Sequence, residues 1–191
     1  MGKKIRAFIA ISVPEPVLEA IAKAQDRLRR SGLDIRWVRK EGIHLTLKFL
    51  GNIDVQDAKQ VRAAMELAVE PFSPFTLRGE GIGFFPDLRR PRVVWAGLSG
   101  DVEDLKAFQG DLESRLKPLG FAKEKRPFKG HLTLGRVKGH LDRTRLSEAM
   151  EALEAFQTES FTAESVVLFQ SDLRPGGAVY SRLAEVAIKS A

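Results

Sequence analysis

Two of the three histidines in this chain lie in identical tetrapeptides. The sequence His-Leu-Thr-Leu occurs at residues 44–47 and again at residues 131–134 of the 191-residue chain. Histidine has an unperturbed pKa close to neutral pH, so one copy can donate a proton while the other accepts one. Two histidines in matched surroundings therefore indicate general acid-base chemistry.

Each tetrapeptide is predicted to lie in a β-strand, where successive side chains point to opposite faces. His44 and Thr46 then share one face, while Leu45 and Leu47 share the other, and the copy at 131–134 divides in the same way. If helices cover the leucines, each His-Thr pair faces the other half of the molecule. Two imidazoles and two hydroxyls would then surround the substrate, an arrangement that suits a phosphoester.

The same residues also allow a purely structural interpretation, in which histidine and threonine satisfy each other's hydrogen bonds inside a sheet. Repetition at a fixed offset favours the chemical interpretation. Duplication alone, however, does not require both copies to have kept a chemical role.

The elements around the two tetrapeptides repeat in the same order, at an offset of 87 residues. A strand-like segment at 8–11 falls on 95–98, and amphipathic helices are predicted after each of these strands and after each tetrapeptide. Apolar strands are predicted to close each half, at 75–85 in the first and at 161–169 and 179–188 in the second. The predicted fold class is α+β: two pseudo-symmetric antiparallel sheets with helices on the outer faces and a central cleft, in one bilobal domain over residues 1–191.

Composition restricts the kinds of partner and site. The net charge of +6 and the pI near 9.7 favour a partner that carries phosphate. The chain has no cysteine, which excludes disulfides, thiolate metal sites and a cysteine nucleophile. Two histidines without clustered carboxylates suggest no metal, and with no phosphate-loop motif we expect no cofactor. The chain has no secretory signal and no apolar run of about 20 residues, so we expect it to be cytoplasmic and not to enter the membrane. We also expect it to be a monomer.

Several segments resemble a known family. The chain is similar to the two-histidine (2H) phosphoesterases, which are defined by paired His-x-Thr-x motifs, and among them to the RNA 2′,3′-cyclic phosphodiesterases of bacteria and archaea. The resemblance is carried, in order along nearly the whole chain, by residues 6–11, 37–38, 43–51 and 126–136. It implies metal-independent opening of a 2′,3′-cyclic phosphate at an RNA end to leave a 2′-phosphate. Some members of this branch also join tRNA halves through a 2′,5′ linkage.

The resemblance also assigns roles to the motif residues. His44 would be the proton donor to the leaving 3′ oxygen, and His131 would be the acceptor that activates water. Thr46 and Thr133 would hold the phosphate. Two alternatives stay open: the substrate could be a small nucleotide, such as an ADP-ribose cyclic phosphate or a 2′,5′-linked oligonucleotide, or the protein could bind RNA without turnover.

Four further residues are weaker candidates for RNA binding: Arg136, Lys48, Arg126 and Phe128. Arg136 matches an arginine that follows the second motif in this branch, but strict alternation places it on the leucine face unless a bulge at Gly135 turns it back. It could equally be an ordinary surface arginine. Lys48 shares the face of the first histidine by alternation, although it could also be a solvated strand lysine. Arg126 belongs to a basic run before the second motif, and Phe128 could stack on a base or belong to the core.

Overall fold

Helices and antiparallel strands alternate along the chain, which confirms the α+β class. The computed structural model describes residues 3–175 and 177–189. In chain order the elements are β1 (Lys4–Ser12), α1 (Glu15–Arg30), β2 (Ile35–Trp37), β3 (His44–Asp54), α2 (Ala58–Val69), β4 (Phe75–Phe85), β5 (Val93–Gly100), α3 (Val102–Leu116), β6 (Leu132–Val137), α4 (Arg143–Glu151), β7 (Phe161–Ala163), β8 (Ser165–Arg174) and β9 (Gly177–Ala187).

The strands form one curled sheet with two halves. Their order is β7-β4-β5-β6-β3-β1-β8-β9, and the short β2 pairs with β6. Among the described residues, a single pair, Leu45 with Leu132, joins β3 to β6. The two sheets predicted from the sequence are therefore two halves of one sheet that meet at the repeated motifs.

The two halves exchange their closing strands. β4 follows the first motif in the chain, yet it pairs with β5 in the second half. β8 and β9 follow the second motif, yet β8 pairs with β1 in the first half and β9 continues from it. The prediction that each half closes with its own strands was wrong, because apolar patterns identify strands without identifying their partners. The exchange fastens the two halves together around the motifs.

Helices cover the face of the sheet that carries the motif leucines. In α1, Val17, Ile21 and Leu28 form a buried stripe, and Pro16 occupies the first turn, where proline is tolerated. In α3 the buried stripe includes Phe108 and Leu112. The motif leucines are 0–4% exposed and belong to the same core: Leu45, Leu47, Leu132 and Leu134.

The Pro-Gly-Gly sequence at 175–177 predicts a turn between β8 and β9, and its central residue, Gly176, lies outside the described residues. Within the part of the chain that the structure describes, no helix combines the length and apolar character needed to cross a bilayer.

Candidate active site

The two motifs meet at the centre of the sheet. Leu45 of β3 pairs with Leu132 of β6, and both are fully buried. Because the strands run antiparallel, the histidine of each motif lies opposite the threonine of the other. All four of these side chains are half-buried on the face opposite the leucines: His44, Thr46, His131 and Thr133. The predicted division of the motifs between a core face and an open face is therefore what the structure shows.

A β-bulge lies at the end of each motif. The pairing of β1 with β3 skips Leu47, and the pairing of β5 with β6 skips Leu134, one repeat offset further along the chain. A bulge adds a residue to one strand and resets which face the following side chains occupy. Phe49 and Arg136, which are also 87 residues apart, are both exposed to solvent as a result.

Each bulged leucine is held by a buried glutamine from a helix of the other repeat. The Gln109 side chain of α3 donates to the Leu47 carbonyl at 3.2 Å. The Gln25 side chain of α1 donates to the Leu134 carbonyl at 2.9 Å. Both glutamines are buried, so these bonds satisfy groups that water cannot reach. The bulges are thus fixed by contacts between the two repeats.

The bulges place two of the weaker candidates, Arg136 and Lys48, in different surroundings. Arg136 lies beyond the bulge and returns to the His-Thr face, which is the condition that its predicted role required. Lys48 is 7% exposed, and its Nζ donates to Glu113 at 2.8 Å and to the Ala122 carbonyl at 2.6 Å. Lys48 is therefore not a solvated strand lysine, because the bulge turns its side chain into a buried ion pair, and its contact with RNA stays a prediction.

A cavity of about 610 Å³ opens beside the second histidine. Its wall includes Thr46, His131, the ring of Phe49 and the basic segment 123–129, which contains Arg126 and Phe128. Phe49 is 64% exposed. The structure thus brings three weaker candidates, Lys48, Arg126 and Phe128, to the cavity wall, although the described wall includes neither the first histidine nor the second threonine.

Aromatic rings enclose His44. Its imidazole stacks on Phe8 at 4.7 Å between centroids and meets Tyr180 edge-on at 5.1 Å. Burial lowers the pKa of His44 to about 4, and the hydrogen bond to the Gly42 backbone opposes this effect, while the charge of His131 adds to it. With no ligand bound, His44 is therefore neutral at pH 7.

His131 is oriented by the residue two positions before it. Its Nδ1 lies 2.8 Å from the Lys129 carbonyl, which can only accept, so Nδ1 carries the hydrogen and Nε2 keeps its lone pair. The imidazole meets the Phe85 ring edge-to-face at 4.9 Å between centroids, and its centroid lies 6.3 Å from that of Trp95. Burial lowers the pKa of His131, the bond to the Lys129 carbonyl raises it, and the Lys129 ammonium lowers it.

Sequence reasoning did not identify the aromatic partners of the histidines. Phe8 and Trp95 are one repeat offset apart, and each ring lies beside the histidine of its own repeat. Aligning 8–11 with 95–98 was the signal that could have identified them. Gly83 belongs to this arrangement, because a Cβ at that position would overlap the Trp95 ring. Glycine at this position therefore allows the close approach of the Trp95 ring.

Side chains that could bind a metal are scattered rather than grouped. Across residues 3–175 and 177–189, no three His, Cys, Asp or Glu side chains gather in a group that could hold a metal ion.

Comparison with known proteins reproduces the internal repeat. The family model of LigT-like phosphoesterases matches the chain twice, over residues 11–95 and 98–180, and the two matches begin 87 residues apart. The RNA 2′,3′-cyclic phosphodiesterase of Archaeoglobus fulgidus is 35% identical over 94% of this chain and 98% of its own. The enzyme of the same name from Methanocaldococcus jannaschii is 33% identical over 95% and 99%.

A solved structure is similar over the same extent. The crystal structure of TT0787 from Thermus thermophilus superimposes with a TM-score of 0.80 at 26% identity, covering 97% of this chain and 98% of that one. The curled sheet is thus shared with a protein of known structure. The chain belongs to the family of LigT-like phosphoesterases.

Proposed function

We propose that this protein opens RNA 2′,3′-cyclic phosphates to 2′-phosphates with its two histidines as general acid and general base, without a metal ion. The observation that carries the proposal is the meeting of two half-buried imidazoles and two threonine hydroxyls on one face of the sheet. Its relatives' name, RNA 2′,3′-cyclic phosphodiesterase, indicates the substrate. In the reaction, a water oxygen bonds to phosphorus and the bond to the 3′ oxygen breaks.

His131 suits the role of base. Its Nδ1 hydrogen is committed to the Lys129 carbonyl, so the Nε2 lone pair is free to take a proton from water. Burial lowers the pKa of His131, which keeps the ring unprotonated at neutral pH. The cavity beside this histidine gives water a route to it.

His44 suits the role of acid only when an anion is present. Its pKa of about 4 leaves the free protein with almost no imidazolium at pH 7. A cyclic phosphate carries one negative charge, and an opposite charge within a few ångströms raises a histidine pKa. We propose that the bound phosphate brings the proton onto His44, which then delivers it to the leaving 3′ oxygen.

Thr46 and Thr133 complete the proposed phosphate site. Each threonine lies opposite the histidine of the other motif, so the hydroxyls flank the region between the imidazoles and can donate to non-bridging oxygens. Arg126, Phe128 and Arg136 are proposed to contact the adjoining nucleotide. A ribose hydroxyl in place of water would give the 2′,5′ joining reaction by the same proton transfers.

Product analysis on an RNA with a cyclic phosphate end tests the proposal. We expect a 2′-phosphate product in the presence of EDTA, and we expect His44→Ala and His131→Ala each to lower the rate by about 10²- to 10⁴-fold. His140→Ala, which removes the remaining, exposed histidine, is the matched control and should keep the wild-type rate on a nucleoside 2′,3′-cyclic phosphate.

Each other outcome contradicts a different part of the proposal. Loss of activity on chelation would refute the metal-free mechanism, and a 3′-phosphate product would refute His44 as the acid on the 3′ oxygen. Faster turnover of an ADP-ribose cyclic phosphate than of RNA would indicate a small-nucleotide enzyme. RNA binding without any product would indicate a binding module.

A further inference from the structure

We infer that a groove beside the active site binds the sugar-phosphate backbone of single-stranded RNA upstream of its cyclic end; the inference rests on the proposed function. The groove has a volume of about 660 Å³ and is formed by the turn after β4, the end of β6 and the start of α4. We call it the arginine groove, after its basic residues Arg89, Arg90, Arg92, Arg136, Lys138 and Arg143.

The positive charge of the arginine groove is not balanced by carboxylates. Its described lining contains no Asp or Glu. Within residues 3–175 and 177–189, none of the five groove arginines forms an ion pair, whereas five of the thirteen other arginines do, at positions 29, 62, 78, 115 and 182. Two neighbouring carboxylates, Asp87 and Asp142, accept backbone N–H groups instead. Of the six basic groove residues, in the part of the chain that the structure describes, only Lys138 forms an ion pair, with Asp34 at 4.0 Å between two exposed side chains.

Positive charges in a concave surface repel one another, and a bound anion relieves this repulsion. Like charges repel one another, and a groove concentrates their field more than a convex surface does. Arg143 adds to this field because it lies in the first turn of α4, where the helix dipole is already positive. The groove is therefore built to attract negative charge.

The arginine groove adjoins the active site through β6 and the end of β4. Arg136 lies three residues beyond Thr133 on β6, about 10 Å along the strand, and the bulge places both on the open side. The turn that carries the other arginines begins directly after Phe85, whose ring contacts His131 at 4.9 Å. A chain held by its terminal phosphate at the histidines can thus continue into the groove.

The groove is also held in place before any ligand binds. Asp87 accepts from the backbone N–H groups of Arg89 and Arg90 at 2.7 and 3.0 Å. The Val137 N–H donates to the Arg92 carbonyl at 2.9 Å, which ties the turn to β6. Binding therefore costs little ordering of the backbone.

A row of guanidinium groups suits repeated phosphates better than a single one. The arginines come from a turn, a strand and a helix, so they are spread along the groove, and each can donate two hydrogen bonds to one phosphate. A mononucleotide held at the histidines would reach no groove arginine beyond Arg136. The groove should therefore distinguish RNA from small cyclic nucleotides.

Removing three groove charges tests this assignment. The variant is Arg89→Gln/Arg90→Gln/Arg143→Gln, assayed on a nucleoside 2′,3′-cyclic phosphate and on a single-stranded RNA of about ten nucleotides with the same end. We expect kcat/KM to fall about tenfold or more on the RNA and to stay within about twofold on the nucleoside. The slope of log kcat/KM against log salt for RNA should become shallower by about 2, because each neutralised phosphate contributes about 0.7 to that slope.

The control removes the same charge from residues that do not line the groove. Lys23→Gln/Arg27→Gln/Arg30→Gln alters exposed residues of α1 and should leave both substrates unaffected. An unchanged RNA rate in the groove variant, or an equal loss in the control, would overturn the inference. RNA affinity is measured separately by fluorescence anisotropy. If the wild type turns over neither substrate, the proposed function fails. In that case an RNA affinity that falls in the groove variant would still support the RNA-binding groove, and an RNA affinity that does not fall would refute it.

Discussion

The depressed pKa of His44 predicts an acid-sensitive loss of stability that a single substitution removes. The perturbation is a fall from pH 7 to pH 4, applied to the wild type and to His44→Gln. Burial against Phe8 and Tyr180 is the main reason that the folded protein resists protonation at this position, and the charge of His131 adds to it. The unfolded chain has no such burial, so there His44 titrates near its ordinary value of 6.5.

The sign and size of the effect follow from this difference. Between pH 6.5 and pH 4 the unfolded state binds a proton at His44 that the folded state does not bind, so stability falls as pH falls. A pKa lowered from 6.5 to about 4 corresponds to roughly 3 kcal/mol lost by pH 4. Above pH 6.5 the contribution is fully present. His44→Gln has no proton to bind and lacks this pH-dependent contribution.

Urea unfolding at pH 7, 5.5 and 4 measures the effect. We expect the wild type to lose about 3 kcal/mol more than His44→Gln between pH 7 and pH 4. His140→Gln, which replaces an exposed histidine, should follow the wild type. NMR titration of the His44 ring gives the folded-state pKa directly. A ring that titrates near 6.5, or equal pH dependence in wild type and His44→Gln, would refute the burial argument.

Three further predictions concern the site and its support. Binding of adenosine 2′-monophosphate near pH 6 should take up close to one proton per site as His44 becomes charged, measured by calorimetry in buffers of different ionisation enthalpy; no uptake would contradict the proposed acid. Lys129→Met should raise the pKa of His131 in an NMR titration, because the lysine ammonium lowers it now; an unchanged value would show that the ammonium has no influence. Lys48→Met should cost about 3–5 kcal/mol in urea unfolding because it leaves Glu113 buried without its partner, and adding Glu113→Gln should recover part of that loss; a loss below about 1 kcal/mol for Lys48→Met would contradict this.

The face of each motif could be predicted from the sequence because strand alternation is a local property. It holds from His44 to Leu47 and across the second copy. The alternation fails at the residue after each motif, because each bulge is held by a glutamine that is distant in the chain, 62 residues away in the first copy and 109 in the second. The two equivalent bulges therefore bury Lys48 in the first copy and return Arg136 to the open face in the second.

Strand partners could not be predicted for a related reason. The apolar runs that became β4 and β8 were identified in the sequence, but nothing within either run specifies the strand beside it. Pairing between strands depends on contacts that are distant in the chain, and here these contacts cross between the repeats. The repeat offset predicted equivalent elements correctly and could not reveal their exchange.

The two repeats carry the same motif side chains and differ directly after them. Each supplies a histidine, a threonine, an aromatic partner and a bulge at equivalent positions. After the bulge the first repeat continues with Lys48 and Phe49, and the second with Gly135 and Arg136. No side chain fits at Gly135, where a Cβ would lie 2.5 Å from Ile35 of β2, whereas the lysine has Glu113 as a partner.

This difference matches the asymmetry of the proposed substrate. A cyclic phosphate presents similar oxygens to both histidines, but the RNA chain leaves it in only one direction. The exposed ring of Phe49 faces the cavity, while Arg136 begins the arginine groove. The proposed acid-base pair, repeated in the two halves, can therefore act on a directional polymer because the residues just beyond the bulges, and not the motifs themselves, distinguish one side of the proposed site from the other.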